Sequence, residues 1–91
     1  MFRYIKINFP TYLLSGNDIF VLQADRGFDI IADFTVGQDF IGLSGGLSFS
    51  QLAISQNTQG TLIKNLLTGE QLAMMIGVNA NAITAVNFRL I

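Results

Sequence analysis

Aspartates are the residues of this chain whose type and spacing could do chemistry. Three segments of the form Gly-x-Asp-x-apolar begin at residues 16, 27 and 37, so that they follow one another at intervals of 11 and then 10 residues. A calcium ion takes about six to eight oxygen ligands, and carboxylates are prominent among them. We therefore interpret Asp18, Asp29 and Asp39 as candidate calcium ligands, with Asp33 as a further candidate.

The distribution of charge agrees with this interpretation, although a second one remains open. Residues 15–45 hold five aspartates and one arginine, a net charge of −4, whereas the rest of the chain has four basic residues and one glutamate, a net charge of +3. However, Asp favours turns and Gly permits a positive φ, and an apolar side chain that follows them can begin a strand. The three segments could therefore be ordinary junctions between a loop and a strand.

Residue types exclude most forms of catalysis. The chain has no His and no Cys, which excludes zinc-hydrolase sites and nucleophiles activated by His. Asp29 and Asp33 are four residues apart, and on one strand that spacing separates them by about 13 Å, beyond the roughly 5–9.5 Å of paired glycosidase carboxylates. The glycines form neither a phosphate-binding loop nor a nucleophile elbow. The sequence predicts a protein that is not an enzyme.

The elements that must position the aspartates are short strands, because turn signals recur about every ten residues. We predict an all-β domain, packed as a small sandwich or roll. Short strands occupy residues 19–43 and an antiparallel meander occupies residues 52–78. One short helical turn within residues 79–87 precedes a last strand at residues 88–91.

The predicted core follows from alternation along these strands. Phe34 is expected in the core beside Ile31 and Ile41. Strict alternation also divides the last strand of the meander into a core face and an outer face. The predicted core face consists of Leu72, Met74, Ile76 and Val78, and the predicted outer face of Gln71, Ala73 and Met75.

Composition predicts a partner for this domain. The chain has 91 residues, of which 51% are hydrophobic and 12% charged, about half of the roughly 25% charged residues usual in soluble domains. So few charged side chains cannot cover the surface of the domain, and apolar area is left in water unless another chain covers it. We therefore expect a homo-oligomer, most simply a two-fold dimer. Alternatively, residues 1–14 cover that area. The net charge of −1 argues against electrostatic nucleic-acid binding, and no apolar run reaches the roughly 18 residues of a membrane helix.

Three stretches of the sequence resemble a known family. Residues 16–22, Gly-Asn-Asp-Ile-Phe-Val-Leu, are similar to the end of the calcium-binding nonapeptide repeat of the repeats-in-toxin, or haemolysin-type, proteins. Residues 27–44 follow the pattern G-x-D-x-I-x-D-F-x-x-G-x-D-x-I-x-L-S at nearly every anchor, which is similar to the segment that closes such arrays, including those of serralysin-type proteases. Residues 49–91 resemble the cap region that follows these repeats in many bacterial proteins.

This resemblance implies a non-catalytic, calcium-associated β module that caps a repeat array or mediates assembly of a secreted, extracellular bacterial protein. It divides the chain into an N-terminal extension, residues 1–14, and a single all-β domain, residues 15–91. Leu14 and Ser15 precede Gly16 where the repeat would have Gly-Gly-x, so we expect shared calcium sites to be incomplete within one chain. The alternative is a small, metal-free, self-associating structural or interaction domain, for which a Cys-free sequence also fits the cytoplasm.

Overall fold

Strands dominate the part of the chain that the structure describes. The computed structural model describes residues 19–24, 27–32 and 34–91 in full, and residues 2–3, 7–8 and 18 as strand backbone. Within these residues the structure has nine strands. They are β1 (Phe2–Arg3), β2 (Ile7–Asn8), β3 (Asp18–Gln23), β4 (Phe28–Ile31), β5 (Phe40–Ser44), β6 (Leu52–Gln56), β7 (Gly60–Asn65), β8 (Gln71–Ile76) and β9 (Phe88–Leu90).

The described strands form two sheets between which the chain passes back and forth. One sheet has the order β1-β4-β8-β7-β6 and the other the order β2-β3-β5-β9. Pairs β1–β4, β4–β8, β3–β5 and β5–β9 are parallel, whereas β6–β7 and β7–β8 are antiparallel. The predicted all-β class is therefore confirmed, and so is the predicted meander, which is β6 to β8.

The hydrophobic core lies between the two sheets. Phe20, Leu22, Ile41 and Leu43 reach it from β3 and β5 of the four-stranded sheet, and the five-stranded sheet contributes a second set. That set includes Ile31, Ile63, Leu72, Ala73 and Met75. This burial is what holds so small a domain together, because apolar area removed from water is its main source of stability.

Phe34 belongs to this core, as its position in the closing motif predicts. Its side chain is 8% exposed and shares the core cluster with Ile31 and Ile41. The ring packs at a tilt against Phe20, with 5.9 Å between the two centroids. Phe34 therefore links the loop after β4 to the sheet that contains β3.

The predicted faces of β8 are wrong, and a β-bulge is the reason. Ile63 pairs with Ala73, but Lys64 pairs with Gln71, so Leu72 is an extra residue in the ladder. A bulge interrupts the alternation of faces, and Leu72 and Ala73 both join the core together with Met75. Leu72 and Val78 are in the core as predicted and Met74 is buried, although outside the core cluster, whereas Ile76 is 38% exposed.

Short 3-10 helices connect the remaining strands. Two of them, Ala80–Ala82 and Ala85–Asn87, replace the single helical turn predicted between residues 79 and 87. The Asn79 side chain accepts a hydrogen bond from the Asn81 main-chain N–H in the first, and the Thr84 N–H donates to Asn87 Oδ1 at 2.8 Å in the second. The third, Phe49–Gln51, precedes β6 and was not predicted.

Candidate functional site

Asp39 occupies the turn between β4 and β5. Its Oδ2 accepts a hydrogen bond of 2.7 Å from the Thr35 main-chain N–H, and its own N–H donates to the Thr35 carbonyl oxygen at 2.9 Å. Gly37, at φ +93°, allows the chain to reverse between these two residues. The Asp39 side chain is only 2% exposed. One carboxylate oxygen therefore fixes the turn, which is the role that turn chemistry assigns to this aspartate.

The main chains of Asp18 and Asp39 lie side by side in the sheet, although the two residues are 21 positions apart in the sequence. Ile19 of β3 pairs with Phe40 of β5 in a parallel register, and the two aspartates immediately precede these partners. Neighbouring strands are about 4.8 Å apart. The four-stranded sheet thus brings together the main chains of two of the predicted ligands at one end.

Asp29 belongs to the other sheet. It lies in β4, where it pairs with Ala73 of β8, and it shares a buried face with Ile31. That face is directed at the core, and the Asp29 side chain is almost fully buried. The predicted ligands Asp18, Asp29 and Asp39 therefore come from both sheets, and Asp33 lies outside the described residues.

No metal cluster is assembled by the side chains that the structure describes. Among them, no group of three or more His, Cys, Asp or Glu residues is close enough to hold an ion. The side chains of Asp18 and Asp33 are not in that set. What the geometry provides is one pair of strand ends, those of β3 and β5, each with an aspartate at its start.

A second feature lies at the edge of the domain where β6 is the outermost strand of one sheet and β9 is the outermost strand of the other. The rings of Phe49, which precedes β6, and Phe88, in β9, pack with their centroids 4.9 Å apart. Beside them is a groove of about 210 Å³, which Leu43, Arg89 and Leu90 also line. The Arg89 side chain lies over the Phe40 ring beside this edge, with its guanidinium carbon 4.0 Å from the centroid of the ring.

Sequence reasoning missed the part that Arg89 plays. The alternation Phe-Arg-Leu in residues 88–90 does indicate that Arg89 faces away from the core. It does not indicate that β9 is an outermost strand, because that depends on the order of strands in the sheet.

Known proteins offer no match to this arrangement. No protein-family model, curated protein or solved structure matches the chain. The helices found in the described residues are three-residue 3-10 turns, and none of them has the length and apolar character needed to cross a membrane.

Proposed function

We propose that this chain is a non-catalytic β module that closes the end of a repeats-in-toxin-like array in a secreted bacterial protein, in association with calcium. The observation that carries the proposal is the change from parallel to antiparallel pairing across the five-stranded sheet. Strands β1, β4 and β8 run parallel to one another, and the hairpin of β6 and β7 then ends the sheet.

Parallel winding is what a repeat array needs at its junction. Each turn of a roll adds one strand to each sheet in parallel, and successive turns contact only their neighbours. In this chain β3 and β4 follow one another in different sheets, with β1 outermost beside β4 in parallel and β2 outermost beside β3 in antiparallel pairing. A preceding array would continue the five-stranded sheet in parallel past β1, and in the other sheet it would take the place of β2 beside β3.

The opposite side has the properties of a terminus. From β8 onward the pairing in the five-stranded sheet is antiparallel and the β6–β7 hairpin lies outermost, so the parallel winding of a roll is not continued at this side. Strand β9 ends the four-stranded sheet there. The module would therefore accept strands at one side and end the array at the other.

Calcium would bind at the strand ends that carry Asp18 and Asp39. At these ends the two aspartates immediately precede Ile19 and Phe40, which pair in adjacent parallel strands. Both aspartates belong to residues 15–45, which have a net charge of −4. Hard cations favour such oxygen ligands, and turn carbonyls can complete the coordination.

Thermal melting with calcium and with a chelator tests this proposal. At a calcium concentration of 100 times the dissociation constant, binding stabilises the folded state by about 2.7 kcal/mol. For a domain of this size we expect a rise of roughly 10–20 °C in Tm. Asp39→Asn retains an oxygen that can accept from the Thr35 N–H but lacks the charge, so it should reduce the rise.

Glu70→Gln is the matched control, because it removes one negative charge outside residues 15–45 and should leave the calcium response unchanged. Equal Tm values in millimolar calcium and in chelator would show that the module is metal-free. The alternative function would then be favoured.

That alternative is a metal-free structural domain that associates with copies of itself. Its support is the number of large apolar side chains that the described residues leave in water. Those more than half exposed are Leu66, Leu67, Val86, Leu90 and Ile91. Exposed apolar area of this kind marks interaction surfaces.

We expect the native chain to sediment as a closed homo-oligomer at micromolar concentration, most simply a dimer of twice the 9.9 kDa chain mass. Closed two-fold symmetry would bury the apolar surface without open-ended growth. Sedimentation velocity over a range of concentrations measures this directly. A particle of 9.9 kDa that persists on concentration would contradict the self-association but leave the calcium experiment unaffected.

A further inference from the structure

The edge of β9 presents main-chain groups that could pair with another strand. Strand β9 is outermost in the four-stranded sheet. The Ile91 N–H donates to the Leu43 carbonyl oxygen at 2.9 Å, so the main-chain groups of Arg89 and Ile91 face β5. Those of Phe88 and Leu90 alternate with them and face away from the sheet.

Arg89 covers one of the outward carbonyl groups at this edge, that of Phe88. Its Nη1 donates to the carbonyl oxygens of Phe88 and Val86, each at 2.9 Å. The guanidinium is held over the Phe40 ring, a contact between a cation and an aromatic face that favours this position. An incoming strand would have to displace Arg89 from the Phe88 carbonyl before it could donate to that oxygen.

Charge opposes the most symmetric way of pairing this edge. Consider two copies whose β9 strands pair antiparallel, so that Phe88 of each copy forms hydrogen bonds with Leu90 of the other. The two Arg89 side chains would then lie directly opposite each other. Like charges at opposed positions destabilise a strand pair. Meanwhile Val86, Leu90 and Ile91, which are largely exposed beside this edge, would favour contact between the copies.

We propose that Arg89 closes the β9 edge against pairing with a second copy of this chain. The side chain acts in two ways, because it occupies the Phe88 carbonyl oxygen that a strand would use and carries a charge that a symmetric partner would repeat. Strand pairing by the four-stranded sheet, with an array or with another copy, is therefore left to its β2 side. The inference stands on the β9 contacts and does not depend on calcium.

Sedimentation velocity of the full chain and its variants tests the role of Arg89. Arg89→Met retains the length and apolar stem but loses the donors and the charge. We expect it to form larger species than the native chain, with at least an approximately twofold greater weight-average mass that rises with concentration. Arg89→Gln, which is shorter and polar, should show the same direction and serves if the first variant does not fold.

Two further variants distinguish edge opening from a general loss of charge. Lys64→Met removes one positive charge from β7, an interior strand of the other sheet, and should sediment as the native chain does. Leu90→Pro, added to Arg89→Met, removes an outward N–H and should restore the native mass, since proline blocks pairing at an edge.

Three results would overturn the proposal. In the first, Arg89→Met and Arg89→Gln keep the mass of the native chain. In the second, Lys64→Met increases the mass as much as Arg89→Met does. In the third, the native chain itself grows without limit as its concentration rises.

Discussion

Phe34→Ala should lower the free energy of unfolding by about 3–5 kcal/mol, because truncation of a buried ring loses its transfer free energy and leaves a cavity. Phe34 packs against Phe20 and shares the core cluster with Ile31 and Ile41. A domain of this size has only about 5–15 kcal/mol of stability in total. Urea denaturation of the variant beside the native chain measures the change.

Val36→Ala is the control for Phe34→Ala. Val36 lies two residues further along and is 43% exposed, so its truncation should change stability by no more than about 0.5 kcal/mol. If Phe34→Ala melted within a few degrees of the native chain, the ring would not be in the core. The position of residues 34–39 between β4 and β5 would then be wrong.

The core position of Phe34 could be predicted because it follows from local pattern. Phe34 follows Asp33 in the closing motif that residues 27–44 resemble, shortly before the turn at Gly37. The same holds for the meander, where turns at residues 57–60 and 66–69 separate three alternating strands. Short-range pattern and turn chemistry agree in these segments.

The faces of β8 could not be predicted, because a bulge depends on the partner strand. Nothing in the residues 71–76 marks Leu72 as the extra residue, since every residue from 72 to 76 is apolar. Pairing with β7 on one side and β4 on the other determines the register. As a result Ala73 and Met75 face the core, and the apolar surface expected from them on the outside does not exist.

The candidate site shows the same division between local and long-range information. Repetition of Gly-x-Asp-x-apolar located the aspartates at the starts of strands, which the structure agrees with for Asp18 and Asp39. The repeated pattern did not indicate which of these strand starts lie next to each other in the sheet. The parallel pairing of β3 with β5 brings Asp18 and Asp39 together, whereas β4 takes Asp29 into the other sheet.

The closed edge at Arg89 also depends on strand order, and it changes what the composition implies. The chain has few charged residues that could protect strand edges, and Lys64 is the one lysine in the meander. Lys64 lies on β7, inside its sheet, where it protects no edge. A single arginine on the outermost strand has more effect on pairing than a greater number of charges elsewhere.

Gly60→Ala should destabilise the chain by about 2–6 kcal/mol, which combines backbone strain with the displacement of packed atoms. Gly60 begins β7 at φ +151°. A Cβ built there would clash with the main-chain carbonyl oxygen of Met75 in the neighbouring strand. That oxygen belongs to the β8 backbone and cannot rotate away as a flexible side chain would.

Gly60 is also the anchor of the turn that joins β6 to β7. Its N–H donates to Asn57 Oδ1 at 3.0 Å, and its carbonyl oxygen accepts from the Asn57 N–H at 2.9 Å and from Gln56 Nε2 at 2.9 Å. A shift of Gly60 away from Met75 would therefore strain or break several hydrogen bonds. The clash cannot be relieved locally.

Gly77→Ala separates this clash from the effect of a positive φ alone. Gly77 has φ +74°, but a Cβ there would meet no atom within 4 Å, so we expect a loss of only about 1–2 kcal/mol. Urea denaturation of both variants gives the comparison. Equal losses at the two glycines would mean that β7 and β8 are not as close at Gly60 as their pairing requires, and that the sheet continues differently beyond Thr61.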